Sequence, residues 1–337
     1  MGRFICTLLL MSVLAAGCGG KSSKGLTVNA SSSSAETSSM SVSVPQFNAD
    51  SAFSYVKAQT DFGPRVPNTP AHKTCAEWLT RKLRGFGAET IVQNIEVRTF
   101  DGTVINGFNI IGQYKPESRK RVIICSHWDS RPWADNDPDK ANHKTPVDAA
   151  NDGASGVGVI LEIARQMQSR LPEIGVDLIL FDAEDWGPGA DWKGADRADM
   201  WGLGTQYWAR HKHKAEYNAR YAILLDMVGG QNAVFYREAY SVHYARTVVD
   251  KVWDAAYATG NGRFFNQKMS GYVTDDHLFI NSIAKIPAID IIPYYPDCRQ
   301  SSFGPTWHTV SDDIDHIDKS TLQAVGQTVL SVIYNER

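Results

Sequence analysis

Cysteine is scarce in this chain, and what there is does not pair. Of its five cysteines, two lie in the first eighteen residues, leaving Cys75, Cys125 and Cys298. Three is odd and no two are closely spaced, which argues against a disulfide framework and leaves each as a small buried hydrophobe. Net charge is almost absent as well: 34 Lys and Arg oppose 37 Asp and Glu. Such a balance gives no reason to expect nucleic acid or an anionic lipid surface as a partner. Beyond the N-terminus no apolar run reaches the roughly 20 residues that span a bilayer. Nor is there a metal spacing as diagnostic as H-E-x-x-H. What is present, 43% hydrophobic and 21% charged residues over 337 positions, is the composition of an ordinary soluble globular protein.

The N-terminus departs from that average. Residues 1–17 combine a basic start (Arg3), a short apolar run and small residues before Cys18. That order is a secretory signal and not a membrane helix. "LAAGC" resembles the lipobox of bacterial lipoproteins, which implies cleavage before Cys18 and lipid on its thiol. The expectation is an exported protein, lipid-anchored to a bacterial membrane and facing the periplasm or the exterior. A plain signal peptide with a chance cysteine is the alternative. Residues 18–45 are Ser-rich with few large apolar side chains, so they are expected to form a flexible tether. From 46 to 337 one domain without internal repeats is expected.

Within that domain, "RVIICSHWDS" (121–130), "VDLILFDAED" (176–185), "YAILLDMVGG" (221–230) and "IPAIDIIPYY" (286–295) are continuous apolar runs ending in polar clusters. Short β-branched runs without alternation describe strands buried on both faces. Between them lie helical stripes: Val157, Ile160, Leu161, Ala164 and Leu171, then Val242, Ala245, Val249, Val252, Trp253 and Ala256. A third follows Ser320, an N-cap candidate, and an earlier helix covers "KTCAEWLTRKLRGFG". Alternating strands and helices predict an α/β fold, a three-layer sandwich with a mixed, largely parallel central sheet.

Ligands of such sheets bind beyond the carboxyl ends of the strands. Three of the four runs carry acids or His there: His127 with Asp129, Glu184 with Asp185, and Asp226. The candidate chemistry-bearing residues are His127, Asp152 in "NDGASG", Glu184, Asp185, Asp226 and His308 in "PTWHTVSDD". Carboxylates and imidazoles together suit zinc, whose catalytic sites keep one position open. "NDGASG" reads equally as a turn opening a closely packed helix, and Glu184-Asp185 as an exposed acidic turn. "HKHK" (211–214) reads as a solvated helix end, and His72, His143, His243 and His316 have no partner visible in the sequence. His277, beside Asp276, could support a site from its outer layer.

In this order, "SHWDS", "NDGASGVGVILEIAR", "FDAED", "LLDMVG" and "WHT" resemble the M28-type zinc-dependent exopeptidases. "DAEDWG", "GTQYWA", "LLDMVGG", "TDDH" and "WHTVSDD" resemble in particular the glutaminyl-peptide cyclotransferase (glutaminyl cyclase) branch of that family, in its Bacteroidetes-like form. The resemblance runs from about residue 47 to the C-terminus and implies roles position by position. Asp152, Asp185 and His308 match the ligands of one zinc per chain, and Glu184 the acid/base beside it. His127 and Asp226 match residues that hold a second zinc in the aminopeptidases, with Asp152 bridging. In the cyclases these positions are kept while one zinc is held. Asp226 and Asp275 then belong to the catalytic hydrogen-bond network, and Trp307, Trp192 and His127 to the substrate side. Asp185 stands where the animal cyclases have Glu, and the loop around Trp192 differs in length from theirs.

The implied substrates are peptides or proteins with N-terminal Gln, converted to pyroglutamate with release of ammonia. Two rivals stand beside this reading: a two-zinc aminopeptidase, and a non-enzymatic surface lipoprotein that uses the fold for binding. The sequence carries no signal of whether subunits associate.

Overall fold

A computed structural model describes residues 43–189, 191–195 and 197–337. The signal segment, Cys18 and most of the tether lie outside the described residues. Two helices come first. α1 (Ala49–Thr60) is capped by Asn48, whose side chain accepts from the Ser51 amide. α2 (Pro70–Gly85) is capped by Thr69 and starts with proline, where a missing N–H costs nothing. It is the helix expected over "KTCAEWLTRKLRGFG" and buries Cys75, Leu79 and Leu83. β1 (Glu89–Arg98) and β2 (Val104–Tyr114) follow as an antiparallel pair that no apolar run announces. β1 is mostly half-exposed, as suits an edge strand.

The alternating part then begins. β3 (Arg121–His127), α3 (Ala154–Ser169), β4 (Gly175–Phe181), α4 (Leu203–Arg210) and β5 (Ala222–Leu225) follow in order. β6 (Phe235–Arg237) and β7 (Phe265–Met269) pair as a small separate sheet around α5 (Ala239–Ala258). α6 (Asp276–Phe279) runs on into a π-turn over Ile280–Ala284 before β8 (Ala288–Ile291), and α7 (Lys319–Asn335) ends the chain. The main sheet has the order β1-β2-β4-β3-β5-β8. β4, β3, β5 and β8 are parallel, and β2 joins β4 antiparallel. The expected mixed, largely parallel sheet is therefore the one observed.

Each parallel strand is buried on both sides because its residues alternate between two cores. Val122, Ile124, Val176, Leu178, Ile223 and Ile289 belong to the larger core, built with residues of α1, α2, α3, α5 and α7. Ile123, Cys125, Ile179, Phe181 and Leu224 belong to the smaller one, with Trp208 of α4 and Ile280 of the π-turn. α3 is buried on nearly all sides instead of along one stripe. Its Gly156 packs so tightly that a Cβ there would lie 2.2 Å from the Leu225 carbonyl oxygen.

Three expectations change. Leu171 is not part of the α3 stripe: the helix ends at Ser169 and Leu171 is half exposed. α7 is capped by Asp318, not Ser320, whose amide donates to the Asp318 carboxylate at 2.7 Å. The "HKHK" segment is not wholly solvated, since His213 turns inward and accepts from Trp208 Nε1 at 3.1 Å.

Burial pushes the His213 pKa down to about 4. A base depressed in the fold contributes stability that is present above its unfolded pKa of 6.5 and lost as pH falls toward 4. In pH-resolved denaturant unfolding, wild type is accordingly expected to lose more stability than His213→Gln across that window.

Candidate active site

The four parallel strands share one direction, so their carboxyl ends open along one edge of the sheet. There β4 delivers two adjacent acids, Glu184 and Asp185, through a turn centred on Ala183 at φ 55°. A left-handed non-glycine residue costs about 1–2 kcal/mol, so the surroundings must hold it. A buried carboxylate sits on either side of the bend. Asp182 accepts from the Phe108 and Ala183 amides at 2.6 and 2.8 Å. Its two oxygens lie 2.9 and 2.8 Å from His72 Nε2. Burial presses the His72 pKa down, but the Asp182 charge outweighs it and holds the imidazole above its ordinary value. His72, which has no visible partner in the sequence, thus has Asp182 in the fold. On the far side of the bend, Asp129 accepts from the Glu184 and Asp185 amides at 3.1 and 3.2 Å.

Asp152, Asp185 and His308, more than 150 residues apart at the extremes, offer ligand atoms all within 4.8 Å of one another. His308 Nε2 lies 3.3 Å from Asp185 Oδ1 and 3.7 Å from Asp152 Oδ2. Asp152 stands at the turn into α3, whose backbone is pinned by Asp312: the Asn151 and Asp152 amides donate to that carboxylate at 2.7 and 3.0 Å. Burial, reinforced by the Asp152 charge, pushes Asp312 up to about 7. His308 is itself left-handed, at φ 54°. Its Nδ1 lies 3.4 Å from Asp135 Oδ1, an arrangement that leaves Nε2 facing the two carboxylates.

The donor set fits zinc: two carboxylates and one imidazole, all buried. Asp185 Oδ2 is buried and has no hydrogen-bond partner among the described residues. Burial and the nearby Arg131 charge press the His308 imidazole down, yet Asp185 and Asp135 outweigh them and raise it. That is the response of a site whose carboxylates call for positive charge.

A second set shares Asp152. His127 Nε2 lies 3.0 Å from Asp152 Oδ1 and 3.2 Å from Asp226 Oδ1, so the ligand atoms of these three residues also converge. His127, expected on the substrate side, sits within this second set. The imidazole is buried behind these two carboxylates and is absent from the cavity wall. Gly153, at φ 94°, leaves it room, since a Cβ there would lie 2.9 Å from His127 Cε1. A third set, Asp275, His277 and Asp290, lies deeper. His277 Nε2 is 3.0 Å from Glu238 Oε2.

A cavity of about 290 Å³ opens over the first set. Glu184, Asp226 and Asp275 line it, as do Trp201, Phe303 and Trp307. Burial raises all three carboxyl pKa values, Asp226 to about 8. For Glu184 the Asp275 and Asp185 charges add to the effect of burial, and His127 opposes it. Trp307 stacks on His308 with centroids 3.7 Å apart. Trp192 does not reach the cavity. It is 41% exposed and packs edge-on against Phe100 at 5.0 Å, while Trp201 occupies the wall. The Gly202 amide, donating to the Glu184 carbonyl at 3.1 Å, ties Trp201 to the acidic turn. No spacing in the sequence signals that return. Asp129, Asp135 and Asp312 were also missed as site residues. Asp129 and Asp312 stand inside "SHWDS" and "WHTVSDD", but only their amide partners reveal what they do.

Known proteins show the same arrangement of chain. The pattern of Peptidase family M28 matches residues 109–333. The glutaminyl cyclase of Bacteroides thetaiotaomicron, solved with N-acetylhistamine, is 55% identical with a TM-score of 0.86, covering 88% of this chain and 100% of that one. A leucine aminopeptidase precursor from the same organism is 54% identical with a TM-score of 0.85, over 88% and 100%. The glutaminyl-peptide cyclotransferase of Gloydius blomhoffii is 26% identical, over 78% of this chain and 76% of that protein. The M28 pattern spans well over half of the residues and carries all three members of the Asp152, Asp185 and His308 cluster, so this chain belongs to peptidase family M28.

Proposed function

We propose that this chain is a zinc-dependent glutaminyl-peptide cyclotransferase, converting N-terminal Gln of peptides and proteins to pyroglutamate with release of ammonia. One observation carries the reading. In a chain 55% identical to a glutaminyl cyclase, Glu184 faces the cavity while its neighbour Asp185 belongs to the candidate metal cluster. A spare carboxylate beside the cation is what proton shuttling needs and what mere binding does not.

Asp152, Asp185 and His308 would hold one zinc, which supplies Lewis acidity toward the oxygen of the side-chain amide. Glu184 takes a proton from the substrate's α-amine as that amine attacks the side-chain amide carbon, closing a five-membered ring. It returns the proton to the nitrogen that leaves as ammonia. Asp226 and Asp275 hydrogen-bond around the transfer from the same wall. Trp201, Phe303 and Trp307 offer flat faces to the ring and keep water away from it. The nucleophile belongs to the substrate, so proximity supplies much of the rate and no water must be deprotonated. That is why one cation suffices here. The Cys18 lipid anchor and an exported, membrane-tethered location complete the proposal, supported by "LAAGC".

A second reading has its own support. His127, Asp152 and Asp226 converge as a two-zinc aminopeptidase would require, and an aminopeptidase precursor is among the similar structures. Product and metal content separate the two. The wild-type protein is expected to release ammonia from Gln-peptides and to carry one equivalent of zinc. Two equivalents with a freed N-terminal residue would overturn that choice.

Glu184→Gln is expected to keep its zinc while kcat falls about 10²–10⁴-fold. Near-wild-type turnover in that variant would remove Glu184 as the shuttle. His308→Ala should lose both zinc affinity and activity, and a fully loaded variant would take His308 out of the ligand set.

A further inference from the structure

Asp185 carries its carboxylate on a single methylene, so its oxygens go where its backbone goes. Arg131, in the segment after β3, holds both. Its Nη1 donates to the Asp185 carbonyl at 3.2 Å and to Asp185 Oδ1 at 3.1 Å. Its Nε and Nη2 donate to the two oxygens of Asp135 at 2.6 and 3.0 Å, and Nη2 also reaches the Pro188 carbonyl at 3.3 Å. Asp135 Oδ1 in turn lies 3.4 Å from His308 Nδ1. The guanidinium is 1% exposed and faces the rings of Trp133 and Trp201 at 5.3 and 5.2 Å.

We propose that Arg131 is the positioning residue of the metal centre: a single guanidinium sets the carboxylate of Asp185 directly and the imidazole of His308 through Asp135. It thereby fixes the separation of two of the three cation ligands, and through Trp201 it ties them to the cavity wall. This rests on reading Asp152, Asp185 and His308 as the ligands, whichever reaction they serve.

Charge alone predicts the opposite effect. A buried positive charge beside a ligand oxygen repels a dication, so a residue acting only through its field would weaken zinc binding, and its loss would tighten it. Positioning reverses the sign. Lysine keeps the charge but is a point donor, unable to hold Asp185 and Asp135 in one fixed geometry. Asp135→Asn keeps the shape and removes the charged acceptor that orients His308.

The test is the zinc dissociation constant of the folded protein, read by competition with a chromophoric chelator below the melting temperature of each variant. Arg131→Lys and Asp135→Asn are each expected to weaken zinc about 10- to 100-fold, the usual cost of losing a partner behind a metal ligand. At saturating zinc, kcat on a Gln-peptide should return to within a few-fold of wild type. Melting of the zinc-free proteins is followed in parallel, because a merely structural role would lower it and leave the affinity of the folded protein intact. Unchanged or tighter zinc in both variants overturns the proposal. So does a kcat that stays low with zinc fully loaded, which would move the effect of Arg131 to the substrate. If Arg131→Lys does not fold, Arg131→Gln carries the test, because losing the charge alone would tighten zinc whereas losing the positioning weakens it. The chelator titration reads the metal itself, so failure of the cyclase reading, seen as no ammonia from wild type, remains a separate result.

Discussion

Burying carboxylates is the constraint to which the rest of this structure answers. Asp129, Asp152, Asp182, Glu184, Asp185, Asp226, Asp275 and Asp312 all lie at the carboxyl edge of the sheet with almost no solvent access. An isolated carboxylate there would cost several kcal/mol after relaxation, so each must find hydrogen bonds, a positive partner or a proton. Asp129 and Asp312 take backbone amides and so fix the turns that bear Glu184, Asp185 and Asp152. Asp182 takes His72, and Asp135 takes Arg131. Glu184, Asp226 and Asp275 are held toward the protonated form. Asp152 and Asp185 cluster instead with the imidazole of His308, a donor set that fits a cation.

The scaffold stores cost to achieve this. Ala183 and His308 sit in the left-handed region, where a side chain is unfavourable. Both positions bear directly on the candidate ligands. The first turns two neighbouring acids toward one pocket, and the second aims a ring at them. The sheet makes the expense tolerable, because its parallel strands are packed on both faces and end together at the rim. Rigid strands lead into strained loops, and the loops carry the chemistry.

Much of this was legible in the chain. Continuous apolar runs marked the parallel strands, since only strands buried on both faces can lack polar alternation. His127, Asp152, Glu184, Asp185, Asp226 and His308 stood at run ends or in motifs, and the fold brings all six to one edge. The β1–β2 pair was invisible because an edge strand has half-polar faces and shows no such run. Trp192 is expected on the substrate side, yet Trp201 lines the cavity, and the sequence does not signal Trp201 because in a loop direction depends on tertiary contacts. One such contact is the Gly202 amide on the Glu184 carbonyl. How deep the His127 imidazole sits is a tertiary matter as well, since depth is not a property of a motif.

The sequence by itself determined the α/β class, the ordering of strands and helices, and which residue types arrive at the strand ends. Periodicity and local chemistry are properties of neighbours along the chain, and neighbours suffice to read them. Only the tertiary structure decided which acids face the cavity, which clamp a turn from behind, and which arginine and aromatic rings brace them. Those roles depend on hydrogen bonds between residues more than fifty positions apart, such as Glu184 to Asp129 and Asp185 to Arg131. No local pattern encodes a distance of that kind.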